Sequence, residues 1–352
     1  MLLFLLVAAG VAAMAQPFDV VVAGARVVDG MGNPWYRADL GVRGGVIAEI
    51  GNLAGRPARL TIDGRGQVVA PGFIDMMGGA SSPMLLDPIS ATSKLTQGIT
   101  TIFAGEGGSE APQNERTFAE DFAKAGYRWS TFAEYFRLIE KRGMGVNAIH
   151  NVGAAQVRRV VIGTDDREPT AAELDKMRAH VDQAMRDGAV GFSTALIYPP
   201  GTYAKRDELV EMGKVVARHG GIYSTHMRNE SGKVLEAIEE AIDIGKQAGV
   251  GVHIYHLKAA GKDNWPLMRR AIDRIAAARA EGLDVTADIY PYIRNGLGLS
   301  ALVHPLHFAR GRQPFVERLG SAAFKAELRK EIEGTPTGRI GIATPGATGT
   351  TY

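Results

Sequence analysis

The chain has 352 residues, 45% of them hydrophobic and 22% charged, with a formal charge of +2 and no cysteine. That length and apolar content suffice for a full-sized core and exceed one small domain. The near-neutral balance, without any block of like charge, excludes a dedicated nucleic-acid or polyanion surface, and the missing cysteines exclude disulfides and thiolate metal sites.

Residues Met1 to Gln16, MLLFLLVAAGVAAMAQ, form an apolar run too short and too rich in small residues at its end for a comfortable membrane span. Ala13-Met14-Ala15 has the small-x-small form of a signal-peptidase site, so the run predicts a signal peptide over residues 1–15 and an exported, periplasmic or secreted, protein. No Lys or Arg precedes the run, and an uncleaved single-helix membrane anchor is the alternative. Residues 17–66 read as short strands: Val20-Val21-Val22, Arg26 to Val28, Leu40 to Val42 and Val46 to Ile50, with Gly44-Gly45 as a hairpin turn. They predict a partial β-sandwich that carries no chemistry of its own.

From residue 67 apolar strands alternate with amphipathic helices, the rhythm of a parallel α/β fold. The strand candidates are Val68 to Asp75, Ile99 to Ala104, Ala148 to Val152, Ala189 to Ser193, Ile222 to His226, Val252 to His256 and Asp284 to Ile289. These are seven, whereas a closed (β/α) barrel needs eight. Thr170 and Glu173 form a capping box ahead of the apolar face Leu174, Met177, Val181 and Met185, and Gly188 ends that helix. Val234, Leu235, Ile238, Ala241 and Ile242 repeat the pattern. A further helix, capped by Asn264 and stopped at Gly282, is expected to bury Leu267, Met268, Ile272, Ile275 and Ala276. The barrel pattern runs to residue 334, and residues 335–352 form an atypical Gly/Thr-rich tail.

Such barrels place their chemistry at the carboxyl ends of the strands. The residues found there are Asp75, the Gly105-Glu106-Gly107 turn, Ser193, His226, His256 and Asp288. Imidazole and carboxylate groups at separate strand ends suit a zinc-like cation. A histidine ending an apolar strand is also an ordinary hydrogen-bonded structural residue, and spacing alone leaves both readings open.

The strings PGFID (Pro71 to Asp75), QGITT (Gln97 to Thr101), LIYPPGTYA (Leu196 to Ala204), STHMRNE (Ser224 to Glu230), HLKAAG (His256 to Gly261) and DIYPY (Asp288 to Tyr292) go further. Together, in this order, they resemble the N-acyl-D-amino-acid deacylase (D-aminoacylase) branch of the amidohydrolase superfamily from about Phe18 to Glu333. The resemblance implies a β-sandwich joined to a TIM-type (β/α) barrel of the metal-dependent hydrolase kind. It also implies a catalytic zinc and hydrolysis of the amide bond of small N-acyl-D-amino acids. His226 and His256 match the family's zinc-ligand histidines, Lys258 and Tyr290 match positions that hold the substrate carboxylate, and Tyr198 matches a residue lining the same pocket.

Three departures qualify what the resemblance implies. Members usually show His-x-His after PGFID, where this chain has Met77 and Gly79, so one zinc ion rather than two is expected. Better-known members place a cysteine ligand at the position aligned with Gly107, and the neighbouring Glu106 is the candidate third ligand, on a glycine-flanked turn that can adjust its backbone. The family continues through an eighth strand ending in an aspartate that serves as general base, but no Asp or Glu follows Glu333 here. Asp288 is then the nearest carboxylate to substitute, or else a brace for the DIYPY turn. The expected barrel lacks its last strand, unless Arg339-Ile340-Gly341-Ile342 supplies a makeshift one. Besides the deacylase, two readings stay open: an inactive remnant that binds metal or ligand only, and a cyclic amidase of the hydantoinase or dihydropyrimidinase kind. The oligomeric state is not readable.

Overall fold

The computed structural model describes residues 16–292, 303–308 and 311–334. The leader over residues 1–15 and the candidate strand Arg339 to Ile342 lie outside the described residues. The chain divides into two compact units, with the boundary between Gly72 and Phe73.

The first unit is a mixed sheet of β1 (Phe18–Val27), β2 (Tyr36–Arg43), β3 (Val46–Gly51) and β4 (Ala58–Asp63) in the order β3-β2-β1-β4, and β5 (Val68–Val69) also pairs with β1. The two runs read separately as Val20 to Val22 and Arg26 to Val28 belong to one strand, β1, whose register shifts between Val22 and Ala25. Gly44 and Gly45, at φ 60° and 78°, close the β2–β3 hairpin, as its two-residue turn requires. Phe18, Val21 and Leu53 form a small buried cluster, while Leu60 and Ile62 of β4 stay exposed.

The second unit is a curled parallel sheet of seven strands. These are β6 (Phe73–Gly79), β7 (Ile99–Ala104), β8 (Asn147–Gly153), β9 (Gly191–Ala195), β10 (Ile222–His226), β11 (Gly251–Ile254) and β12 (Val285–Ala287), and each pairs in parallel with its chain neighbour. Among the described residues β6 and β12 are the two edges. The interior strands are covered by helices, so β9 is buried along its whole length, and Phe192 stacks on Tyr223 of β10 at 4.7 Å.

Helix ends follow the capping signals closely. The helix Ala171–Asp187 starts at the Thr170/Glu173 box and ends at Gly188, which takes φ 115°. Its stripe Met177, Val181 and Met185 is buried, and a cap of this kind contributes about 1 kcal/mol. The helix Val234–Ala248 buries Val234, Ile238, Ala241 and Ile242 as the pattern predicts.

The helix Leu267–Ala280 differs from expectation at two points. Asn264 does not cap it; its amide donates to Ala260 O at 2.7 Å, and the helix starts after Pro266 without a side-chain cap. Ile272 is 50% exposed, and Ala276 is exposed as well. The reason is topological: this helix follows β11 and packs beside β12, the edge strand, so part of its apolar stripe has no neighbour among the described residues. No helix among the described residues is long and apolar enough to cross a membrane.

Candidate metal centre

Three of the sequence-derived candidates converge at the carboxyl ends of β7, β10 and β11. Glu106 follows β7 on a turn whose backbone is over-determined. Gly105 has φ 94°, and a Cβ there would lie 2.5 Å from Asn151 O; Gly107 N donates to Ser193 Oγ at 3.0 Å, and Gly107 O accepts from Ala155 N at 2.9 Å. Ser193 thus serves the turn rather than the site. Three residues past Gly107, the Ser81 and Ser82 backbone N–H groups both donate to Glu110 Oε1, which ties the segment after β6 to the segment after β7.

His226 ends β10 and is buried, and Leu196 N donates to its carbonyl at 3.0 Å. His256 lies two residues past β11, also buried, with φ 38°; a non-glycine residue held in that region of backbone space signals a functional constraint. The two rings cross at 87° with centroids 4.5 Å apart. Glu106 Oε1 lies 2.7 Å from His226 Nδ1 and 3.5 Å from His256 Nε2, and those two nitrogens are 3.2 Å apart. Tetrahedral donors about 2.0–2.1 Å from a zinc-like cation are about 3.3 Å from one another. Two imidazoles and a carboxylate at these separations therefore fit such a cation.

The electrostatics agree with that fit. Burial alone would raise the Glu106 carboxyl, but His226 and His256 hold it down at about 2. Burial disfavours the His256 imidazolium, yet Glu106 and Glu230 together push that ring up to about 9. Concentrated negative charge around two histidines is the environment a divalent cation neutralises.

Lys258 reaches the same place. Its Nζ lies 2.6 Å from Glu230 Oε2, 2.9 Å from His256 Nδ1 and 3.1 Å from His256 O, and it sits 5.8 Å over the Tyr290 ring. Burial lowers its pKa despite the attraction of Glu230. Tyr198 presents its ring edge-on to His226 at 5.5 Å between centroids, and burial together with the charges of Glu106 and Glu230 pushes its hydroxyl up to about 12.

Asp288 is placed otherwise than a substitute base requires. Its Oδ1 accepts from the His256 backbone N–H at 2.5 Å, and its Oδ2 lies 2.9 Å from His253 Nε2. One oxygen holds the His256 backbone and the other engages His253, the arrangement of a brace. Asp75 also points away from base chemistry, pairing with Lys94 at 2.6 Å, and the His-x-His positions hold Met77 and Gly79.

Sequence reasoning missed Glu230. It lies four residues past His226, nearly buried, with Oε1 2.7 Å from His256 Nδ1 and Oε2 3.7 Å from His226 Nε2. Its only signal was membership of the STHMRNE string, since a loop carboxylate after a strand usually faces solvent.

No family model matches the chain. Among curated proteins it is 39% identical over 283 residues to a D-aminoacylase of Alcaligenes xylosoxydans xylosoxydans, a match covering 79% of this chain and 58% of that protein. Among solved structures it resembles N-acyl-D-glutamate deacylase of Bordetella bronchiseptica, complexed with zinc and a phosphonate mimic of the tetrahedral intermediate. That likeness has a TM-score of 0.74 and 36% identity, covering 79% of this chain and 59% of that one. An L-hydantoinase of Arthrobacter aurescens shares the fold alone, at 22% identity, TM-score 0.52 and coverage of 81% and 61%. The chain thus spans under two thirds of the length of the relatives it matches.

Proposed function

The chain belongs to the N-acyl-D-amino-acid deacylase branch of the amidohydrolases, and from that premise we propose that it hydrolyses the amide bond of small N-acyl-D-amino acids at a single divalent cation, zinc by preference. The observation that carries this reading is the triad Glu106 Oε1, His226 Nδ1 and His256 Nε2, 2.7 to 3.5 Å apart, with the Lys258 ammonium beside it. Met77 and Gly79, where a second cation would need histidines, support one ion rather than two.

Zinc at that triad supplies a Lewis acid for the scissile carbonyl and a bound water of lowered pKa. The chain's own residues do the rest. Lys258 and Tyr290 receive the substrate carboxylate, with charge at the ammonium and direction from the ring beneath it. Tyr198, protonated at neutral pH and set edge-on to His226, lines the same pocket. Among the described residues no carboxylate at the mouth is left unpaired to take a proton, because Asp288 and Asp75 are both engaged. That occupancy favours, as the second reading, a protein that binds cation and N-acyl-D-amino acid without turning it over. Export to the periplasm or beyond belongs to the same proposal, supported by the Met1 to Gln16 run and its Ala13-Met14-Ala15 site.

The deciding experiment is to incubate the purified chain with zinc and N-acetyl-D-amino acids, with the L-enantiomers as controls, and to follow release of free amine. D-selective release abolished by His226→Ala supports the deacylase. Zinc binding with no release selects the binding protein, and a chain that takes up no zinc overturns both.

A further inference from the structure

The stretch that leaves β10 divides its side chains among three parts of the molecule. His226 goes to the donor triad and Glu230 to Lys258 at 2.6 Å, while Arg228, between them, turns to another loop. Its guanidinium grips Glu240 of the helix Val234–Ala248 with two prongs, Nε 2.9 Å from Oε2 and Nη2 2.9 Å from Oε1. Two further N–H groups, on Nη1 at 3.0 Å and on Nη2 at 2.9 Å, donate to the carbonyls of Thr202 and Ala204. A planar fork of fixed donors serves all of these acceptors at once, which the compact ammonium of a lysine does not reproduce.

Those two carbonyls belong to the turn that carries Tyr198. Thr202 N donates to Tyr198 O at 3.0 Å and Ala204 N to Gly201 O at 3.1 Å, so the turn is bonded to itself as well as to Arg228. Its floor is tight, because a Cβ at Gly201 would lie 2.7 Å from Ala195 O. At the other end of the turn Leu196 N donates to His226 O at 3.0 Å. His226 and Arg228 therefore hold residues 196–204 at both ends, one through its carbonyl and the other through its guanidinium. Tyr198 lies between the two holds, edge-on to the His226 ring at 5.5 Å between centroids.

The pair of Arg228 with Glu240 is 33% and 20% exposed, and an ion pair so placed adds little stability by itself. What the guanidinium adds is direction for the turn. We infer that Arg228 is a positioning residue for substrate recognition, acting through Tyr198: it pins residues 196–204 to the end of β10, so that the phenol stands at the mouth before substrate arrives. A side chain already in place loses less freedom when it meets its ligand, and the binding is tighter by that amount. This inference rests on the substrate role proposed above for Tyr198.

The test is a double-mutant cycle on the purified full chain loaded with zinc: wild type, Arg228→Met, Tyr198→Ala and the double variant. Binding of a panel of N-acetyl-D-amino acids is followed by calorimetry, and amine release where it occurs. Arg228→Met should weaken binding about 10–100-fold when Tyr198 is present, and by no more than about twofold when Tyr198 is already alanine. A second readout needs no ligand. The Thr202 and Ala204 amides should exchange hydrogen about tenfold faster or more in Arg228→Met, while those of β10 keep their protection. If Arg228→Met proves unfolded by circular dichroism, Arg228→Lys replaces it: the charge facing Glu240 is kept, the fork is lost, and the same dependence on Tyr198 is expected. Equal loss of binding with and without Tyr198, or unchanged exchange in the turn, overturns this inference and leaves the proposed function standing. A wild-type chain that neither binds nor hydrolyses any of the panel overturns the proposed function and this inference with it.

Discussion

The carboxylate of Asp288 holds the backbone of His256: Oδ1 accepts the His256 N–H at 2.5 Å, and His256, at φ 38°, is the one non-glycine residue of positive φ among those described. Strain of that kind costs about 1–3 kcal/mol and persists only where its surroundings impose it. Asp288→Ala should let His256 relax and weaken zinc binding at least tenfold, whereas Asp288→Asn, which keeps an oxygen for the N–H, should retain most of the affinity. An Asn variant that binds zinc normally but loses all turnover would show Asp288 to be a base after all.

Gly107, at the position where the resemblance implies a cysteine, leaves no room for a side chain. It takes φ 68°, and a Cβ there would lie 2.6 Å from Ala195 Cβ and 2.7 Å from Ala195 N. Gly107→Cys should therefore destabilise the chain by about 2–4 kcal/mol, from backbone strain and overpacking together, and should not tighten zinc. Urea melts and zinc titration of the same preparation check both halves.

Zinc affinity should depend steeply on pH. His256 titrates near 9 in the metal-free chain, held up by Glu106 and Glu230 against the effect of burial, so below that pH a cation must displace a proton. Affinity should rise about tenfold per pH unit towards 9 and then level. The stability of the metal-free chain runs the other way: a folded pKa above the unfolded value of 6.5 contributes fully below 6.5 and is lost as pH rises through about 9. Elemental analysis should find one zinc per chain; two would contradict the reading of Met77 and Gly79.

Lys258→Met should raise KM for N-acyl-D-amino acids about 10–100-fold, the range expected for loss of a charged hydrogen bond, with kcat little changed. A substrate whose carboxylate is capped as an amide should lose almost nothing on the same substitution. Equal losses for both substrates would remove Lys258 from carboxylate recognition.

Most of the frame was legible because its signals are local. Six of the seven parallel strands lay on the apolar runs read for them, and Thr170, Glu173 and Gly188 marked their helix to the residue; the run Val68 to Asp75 instead divides, Val68–Val69 pairing with β1 of the first sheet and β6 starting at Phe73. The convergence of Glu106, His226 and His256 followed from the rule that strand ends share one mouth. What sequence could not give was contact made across the mouth. Glu230 and Asp288 differ in nothing local from surface carboxylates, and only the approach of His256 and Lys258 to one and of His253 and the His256 backbone to the other gives them work. Ile272 failed for the converse reason: its helical spacing is apolar, but burial needs a neighbour that an edge strand does not bring.

The donor triad also spans the curvature of the sheet. Glu106 belongs to β7 and His226 to β10, with β8 and β9 between them. Three strand spacings on a flat sheet are about 14 Å, yet their donor atoms stand 2.7 Å apart. A cation seated there joins strands that share no backbone hydrogen bond, as a cross-tie joins two points on an arc. Its binding energy adds to the folding energy of the curved form alone, so free zinc at a hundred times its Kd should stabilise the chain by about 2.7 kcal/mol. A cation proposed for the substrate's sake would then also keep the sheet bent.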